Sequence, residues 1–371
     1  MLKGKVDLAA VSKFFVDLMK PRTPPLIGVD ISSSAVKLVE LADAGHGRVR
    51  LERYVIEPLP KDVVVDGNIM NLEEAGAAVG RGWAKLGTRV RNLAMALPSA
   101  AVITKKIVVP AGQSEDDLEM LVQTEANQYI PFALEEVNLD FQILGPAPAN
   151  PEEEVEVLIA ASRKEKVEDR VAVAESQGLK AVVVDIDAYA AQNAFELIEA
   201  GLPEGGVDQT VALVDVGATM MNINVLRNRQ SVYFREQPFG GNQLTQDIQR
   251  NFSLSQEEAE SAKRKGGLPD NYQNDVLQPF MDTLSLEVTR AMQFFFTSTQ
   301  YSQVHHIVLG GGCAAIPGLA EVVARRTGVN TFVADPFAAM DKASRVKPAE
   351  LASDAPSLLV ACGLALRRFD K

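Results

Sequence analysis

Two short segments place an aspartate where phosphate chemistry is feasible. In Ile27-Gly28-Val29-Asp30-Ile31-Ser32-Ser33-Ser34-Ala35-Val36-Lys37 an apolar strand ends in Asp30, turns through hydroxyl residues and returns. Ala212-Leu213-Val214-Asp215-Val216-Gly217-Ala218-Thr219 repeats that arrangement. Small residues let backbone N–H groups approach oxyanions, and Ser and Thr hydroxyls add donors. A carboxylate can hold Mg2+ through water. Two such hairpins facing each other would clamp the phosphates of a nucleotide. Asp30 and Asp215 would serve the metal, and Ser32, Ser33, Ser34, Lys37, Gly217, Ala218 and Thr219 the nucleotide. Alone, either aspartate reads as a turn residue at a strand end; the pairing carries the expectation, since a repeat of this size marks duplicated half-domains.

A third segment offers the other end of a nucleotide. Ile307-Val308-Leu309-Gly310-Gly311-Gly312 is an apolar strand running into glycines, and Pro317 precedes a helix. Residues without side chains let a flat ring or a ribose lie against the backbone. The segment is neither a dinucleotide fingerprint nor a Walker loop. The three histidines and two cysteines show no metal-ligand spacing, so Cys313 and Cys362 read as buried thiols of a reducing compartment.

The elements around these segments alternate. Strands are expected near 26–30, 35–41, 48–56, 92–98, 103–109, 137–144, 155–161, 181–186, 211–216, 222–226, 231–236 and 306–309. Helices are expected at 71–86, from Ser114, at 164–177, 188–200, 242–252, 256–265, 276–301, 319–327 and 358–368. Ser114 and Asp117 read as a capping box. This makes the fold class mixed α/β. Residues 8–19 suit a short amphipathic helix, either packed on its own domain or docked on a partner or membrane. With 371 residues, 47% hydrophobic and 23% charged, the chain is a globular protein of two or three domains. A net charge of -12 opposes general binding to nucleic acid or acidic lipid. No apolar run approaches a membrane span.

In order, these segments resemble the signature of the actin, Hsp70 and sugar kinase superfamily. Phe239-Gly240-Gly241-Asn242-Gln243-Leu244-Thr245-Gln246-Asp247-Ile248 and Glu260-x-x-Lys263 are similar to the FtsA branch. Glu125-Ala126-Asn127-Gln128-Tyr129-Ile130-Pro131-Phe132, with Asp140-Phe141 and Asp30 to Lys37, resembles the PilM family of type IV pilus assembly.

The resemblance implies an actin-like two-lobed ATPase fold with an FtsA-type inserted subdomain. It divides the chain into a tail at 1–24, a first lobe at 25–91 and 178–209, an insert at 92–177, and a second lobe at 210–371 with a helical subdomain at 239–301. Gly240 and Gly241, Glu260 and Lys263, Gly310 to Gly312 and Pro317 would then contact ATP or ADP, with Mg2+ at Asp30 and Asp215. The family's Asp-x-Gly loop has Ser32 for its glycine. The long catalytic side chain of strong hydrolases has only Asp185 or Asp187 as a substitute, so weak or absent turnover is expected. The implied role is a cytoplasmic scaffold of the pilus machine behind twitching motility. It would sit at the inner membrane through the cytoplasmic N-terminal tail of PilN and contact other pilus components. Homo-oligomers, an FtsA-like cell-division filament and a small-molecule kinase (with Asp247 as its candidate) or phosphohydrolase of the same fold stay open as alternatives.

Overall fold

The computed structural model describes residues 24–370, so the amphipathic stretch at 8–19 lies outside the described residues. The chain opens with β1 (Ile27–Ile31), β2 (Ala35–Gly45), β3 (Arg48–Pro58), β4 (Val64–Val65), β5 (Asn68–Ile69), α1 (Leu72–Leu86) and β6 (Asn92–Leu97). A 3-10 turn, Ser99–Ala101, leads into β7 (Val102–Pro110), α2 (Glu115–Tyr129), β8 (Val137–Pro146) and β9 (Glu154–Arg163). Next come α3 (Lys164–Glu175), β10 (Lys180–Ile186) and α4 (Asp187–Glu199). The second half holds β11 (Thr210–Val216), β12 (Met221–Arg227), β13 (Gln230–Gln237), α5 (Gly241–Phe252), α6 (Gln256–Lys265) and α7 (Gln278–Ser298). It closes with β14 (His306–Gly310), α8 (Leu319–Thr327), β15 (Asn330–Val333), β16 (Asp341–Lys342), α9 (Pro348–Asp354) and α10 (Leu359–Leu366).

The internal repeat is visible in the sheets. One runs β10-β6-β1-β2-β3-β16 and the other β13-β12-β11-β14-β15. From each meander outward, the orders β3-β2-β1-β6-β10 and β13-β12-β11-β14-β15 coincide. In each sheet the first three strands are antiparallel and the next two add in parallel. Asp30 pairs with Lys37 across its hairpin, and Asp215 pairs with Asn222 across the equivalent one.

The largest apolar core lies between the two sheets. Leu41 and Leu51 of the first sheet and Leu213 of the second meet there around Phe195 of α4 and Leu359 and Leu364 of α10. Outer layers cover the far faces: α1 and α3 on the first sheet, α5, α7 and α8 on the second. The 348–369 stretch is long and apolar enough to cross a membrane by composition, contrary to the expectation from sequence, but Leu359 to Ala365 are all buried in this central core.

The insert is narrower than 92–177. Strand β6 sits between β10 and β1 in the first sheet, and α3 packs its Val173 and Ala174 into the first lobe's outer core. What remains is the three-stranded sheet β7-β9-β8 under α2, with its own core around Val122, Val157 and Ile159. The capping box expected at Ser114 is only half made. The Ser114 hydroxyl accepts from the Asp117 amide at 3.2 Å, but the Asp117 carboxylate takes the Ser114 hydroxyl at 2.6 Å rather than its amide. Asp is one methylene too short to reach back. The complete box is Ser255–Glu258 at the start of α6.

Candidate nucleotide cleft

The two Asp hairpins face each other across a cleft of about 2250 Å³ between the lobes. Its lining includes Asp30, Ser32, Ser33, Ser34 and Lys37 from the first hairpin, and Asp215, Gly217, Ala218 and Thr219 from the second. Thr219 donates to the Ser33 hydroxyl at 3.3 Å, so the turns touch. Ser32 spends both its amide and its hydroxyl on the Ala35 carbonyl, at 3.0 and 2.9 Å. The amides of Ser33, Ser34, Ala218 and Thr219, by contrast, have no backbone partner among the described residues. Free N–H groups on two apposed turns suit an anion.

Charge at the floor is balanced internally. Lys37 donates to Asp30 at 2.9 Å. Burial works against the Lys37 ammonium, but Asp30 and Asp215 together outweigh it and hold its pKa above the ordinary lysine value. Burial pushes Asp215 up to about 6; Lys37 pulls against that rise, and Asp30 adds to it. Among the described residues no group of three His, Cys, Asp or Glu could hold a metal alone. The carboxylate pair therefore fits Mg2+ only together with phosphate oxygens and water.

The glycines and the second-lobe pair divide by role. Gly311 has φ 82, and a Cβ there would lie 2.3 Å from the Val216 carbonyl oxygen, so only glycine lets the β14 loop close on the hairpin. Gly311, Gly312, Gly241 and Pro317 line the cleft, whereas Gly240 and Gly310 do not. Gly240 instead packs α5 onto the second hairpin, since a Cβ would meet the Ala218 oxygen at 2.5 Å. Glu260 and Lys263 line the wall, paired at 2.6 Å. Thr245, unflagged by sequence, joins them: its hydroxyl takes Lys263 at 2.7 Å and donates to Glu260 at 2.8 Å. Its spacing of four from Gly241 on one helix face was the available signal.

Asp185 is not a cleft residue. Its carboxylate accepts Arg367 Nε at 2.7 Å, which fixes the chain's closing turn to β10. Asp187, two residues on, lines the cleft at the start of α4. It accepts the Ser99 amide at 3.0 Å, the Ser99 hydroxyl, and its own Ala188 amide at 2.7 Å. Burial nevertheless pushes it up to about 7. Arg170 of α3 also lines the cleft, held by the Ala96 and Gly67 carbonyls at 3.1 and 2.8 Å. Asp247 lies outside, paired with Arg250 at 3.6 Å. A side chamber of about 20 Å³, room for one water, adjoins Asp187 and Asp215, where Asn222 Oδ1 and Asn224 Nδ2 have no partner among the described residues. Cys313 and Cys362 are buried and free.

A carboxyl held above its unfolded value near 4 binds its proton more tightly when folded. The stability Asp187 contributes is therefore full below about pH 4 and lost as pH rises through 7. Relative to Asp187→Asn, the nucleotide-free wild type should lose melting temperature steadily from pH 4 to pH 8. Parallel melting profiles for the two proteins would contradict the assignment.

The sequence profile described as Type IV pilus assembly protein PilM matches residues 28–369. The chain belongs to this family. Among solved structures, the PilM–PilN type IV pilus biogenesis complex superposes with a TM-score of 0.78 at 30% identity, covering 95% of this chain and 100% of that one. The ethanolamine utilization protein EutJ of Carboxydothermus hydrogenoformans superposes at 0.57 with 18% identity, over 94% of this chain and 90% of EutJ. MreB5 of Spiroplasma citri bound to ADP superposes at 0.50 with 14% identity, over 95% and 100%. These last two show the actin-like fold alone. The cell division protein FtsA of Bacillus subtilis is 26% identical over 265 residues, 69% of this chain and 56% of FtsA, so this PilM-family chain spans about half of that relative.

Proposed function

We propose that this PilM-family chain is an ATP-binding scaffold of the pilus inner-membrane platform. It holds ATP or ADP with Mg2+ in the cleft and the cytoplasmic N-terminal tail of a PilN-type protein on its insert, and so works in the cytoplasm against the inner membrane. The observation that carries the nucleotide reading is the convergence of two turns with free amides on a carboxylate pair. The glycines of the β14 loop and the Glu260–Lys263 pair complement it. For the tail, the support is the similarity to a PilM–PilN complex together with the insert's surface.

That surface is acidic and partly apolar. Between 99 and 163 there are twelve Asp and Glu against three Lys and Arg, a net of -9 out of the chain's -12. Among the described residues strand β8 is an edge of its sheet, and its Leu139, Phe141 and Ile143 pair with core residues of β9, with Ile143 52% exposed. Cytoplasmic segments beside a membrane span carry excess Lys and Arg. An extended tail could add to the edge and set its apolar residues in this face, with the acidic surround steering it.

Calorimetry with ATP and ADP tests the cleft, and absence of binding by the wild-type chain would refute it. Turnover should stay below roughly 1 s⁻¹, slow for an enzyme. Asp187 is short and already accepts three donors, which leaves it little freedom to orient water. For the insert, residues 102–162 are the segment to delete, because removing β6 would break the first sheet. If the deletion leaves affinity for a synthetic tail unchanged, the tail binds elsewhere.

A further inference from the structure

Helix α3 packs Val173 and Ala174 into the first lobe's outer core, and the same face carries Arg170, which is only 4% exposed. Arginine is seldom buried to this extent without a carboxylate. Here backbone alone holds the guanidinium. Nε donates to the Ala96 carbonyl at 3.1 Å, and Nη2 donates to the Gly67 carbonyl in the β4–β5 turn at 2.8 Å. A guanidinium has five N–H donors; these bonds use two and leave three without a partner among the described residues. The carboxylates around it are engaged elsewhere. Asp30 takes Lys37, and Asp187 takes Ser99 and the Ala188 amide. Arg170 makes no ion pair among the described residues. Burial holds its pKa below the ordinary arginine value, against the opposing charges of Asp169, Asp30 and Asp187. A buried cation is costly until a counter-charge reaches it.

Strand register sets where that counter-charge would sit. Val29 pairs with Met95, so one residue on Ala96 stands beside Asp30 at the carboxyl edge of the first sheet. On the other side Ile186 pairs with Leu97, and Asp187 follows at the same edge. Arg170 therefore sits at the end of β6, between Asp30 and Asp187, and lines the cleft with both. Ligands of open α/β sheets gather at this edge. The free amides of the two turns can take the inner phosphates, and the strand order β1-β6-β10 puts Arg170 next along the edge. We propose that Arg170 holds the terminal phosphate of a nucleoside triphosphate and so makes this cleft prefer ATP to ADP. The proposal rests on the nucleotide reading of the cleft argued above. A guanidinium fork matches phosphate oxygens in geometry as well as charge. The two carbonyl bonds already fix its orientation, so little side-chain ordering remains to be done on binding. Asp187, pushed up to about 7 by burial, repels an incoming phosphate less than an ordinary aspartate would.

Calorimetry on the full chain, with Mg2+ present, compares ADP with the slowly hydrolysed triphosphate analogue AMPPNP. Wild type should bind AMPPNP about tenfold or more tightly than ADP, the worth of a charged hydrogen bond. In Arg170→Gln that ratio should fall below about twofold, with affinity for ADP little changed. If Arg170 were only a staple between the β4–β5 turn and β6, its loss would weaken both nucleotides alike or neither. Either result overturns the proposal, as does a wild-type ratio near one. Should Arg170→Gln fail to melt cooperatively, Arg170→Lys replaces it. Lysine keeps the charge and loses the fork, so the ratio should fall about threefold or more, and an unchanged ratio overturns the assignment. A second measurement needs no nucleotide. Inorganic phosphate should raise the melting temperature of wild type by about 2 °C or more and leave that of the variant unmoved. If neither nucleotide binds wild type, the nucleotide reading falls. Stabilisation by phosphate that depends on Arg170 would still support an anion subsite at this residue, and its absence would overturn that as well.

Discussion

Replacing Gly363 by valine should remove a large share of the molecule's stability. Gly363 lies on α10, where a Cβ would sit 1.7 Å from the Ala190 carbonyl oxygen and 2.4 Å from its carbon. Both atoms are backbone of α4, so no flexible side chain can give way. Gly28 makes the matching approach from β1, with a Cβ 2.1 Å from the Ala361 oxygen. Relief requires α10 to back away from α4, which opens the core around Phe195 and Leu359 that joins the two sheets. Overpacking against side chains costs about 1–3 kcal/mol. Against the α4 backbone the loss should exceed about 4 kcal/mol, a large share of a domain's 5–15 kcal/mol. Even Gly363→Ala carries the offending carbon and should lose about 2 kcal/mol or more. Urea titrations followed by circular dichroism would measure both. An alanine variant within about 0.5 kcal/mol of wild type would refute the close-packing account.

Asp215→Ala should weaken binding of MgADP by about thirtyfold or more, equivalent to about 2 kcal/mol. The fold should survive, because Asp215 is a buried carboxylate already pushed up to about 6, and its removal relieves desolvation that Lys37 only partly offsets. Lys37 keeps its bond to Asp30. The loss should be larger with Mg2+ than with nucleotide in EDTA, since the carboxylate acts on the metal and not on phosphate directly. Equal affinities for wild type and variant in the presence of Mg2+ would remove Asp215 from the site.

The hairpins were legible in the sequence because each is local: strand, Asp, small turn and returning strand fall within about fifteen residues, and the duplication made them visible as a pair. What the sequence concealed depends on distant partners. Asp185 and Asp187 are indistinguishable as neighbours. Arg367, from the far end of the chain, binds the first, and the change from strand to helix at Ile186 turns the second into the cleft. The role of β6 was likewise hidden, because its parallel partners β1 and β10 are remote in sequence, and read locally it looks like the insert's first strand. Strand β15, four residues long, and helix α9, seven, were too short for their periodicity to register. Arg170 and Glu236 sit on a helix and a strand that look solvated in sequence, and only the lobe opposite makes them cleft residues.

The insert leaves and re-enters the first lobe at almost one point. Val102 and Ser162 are paired residues of adjacent strands, and they stand beside the end of β6 and the start of α3. Whatever lies between them, the lobe meets the same two chain ends a strand spacing apart, so exchanging that stretch asks for almost no additional loop closure. The crossover from β6 through α3 to β10 keeps its handedness and its sheet order regardless of what is spliced in. The molecule is thus built as a socket with an exchangeable head. On the functions proposed for insert and cleft, a head grafted from another family member should change the partner that is bound and leave nucleotide affinity as it was.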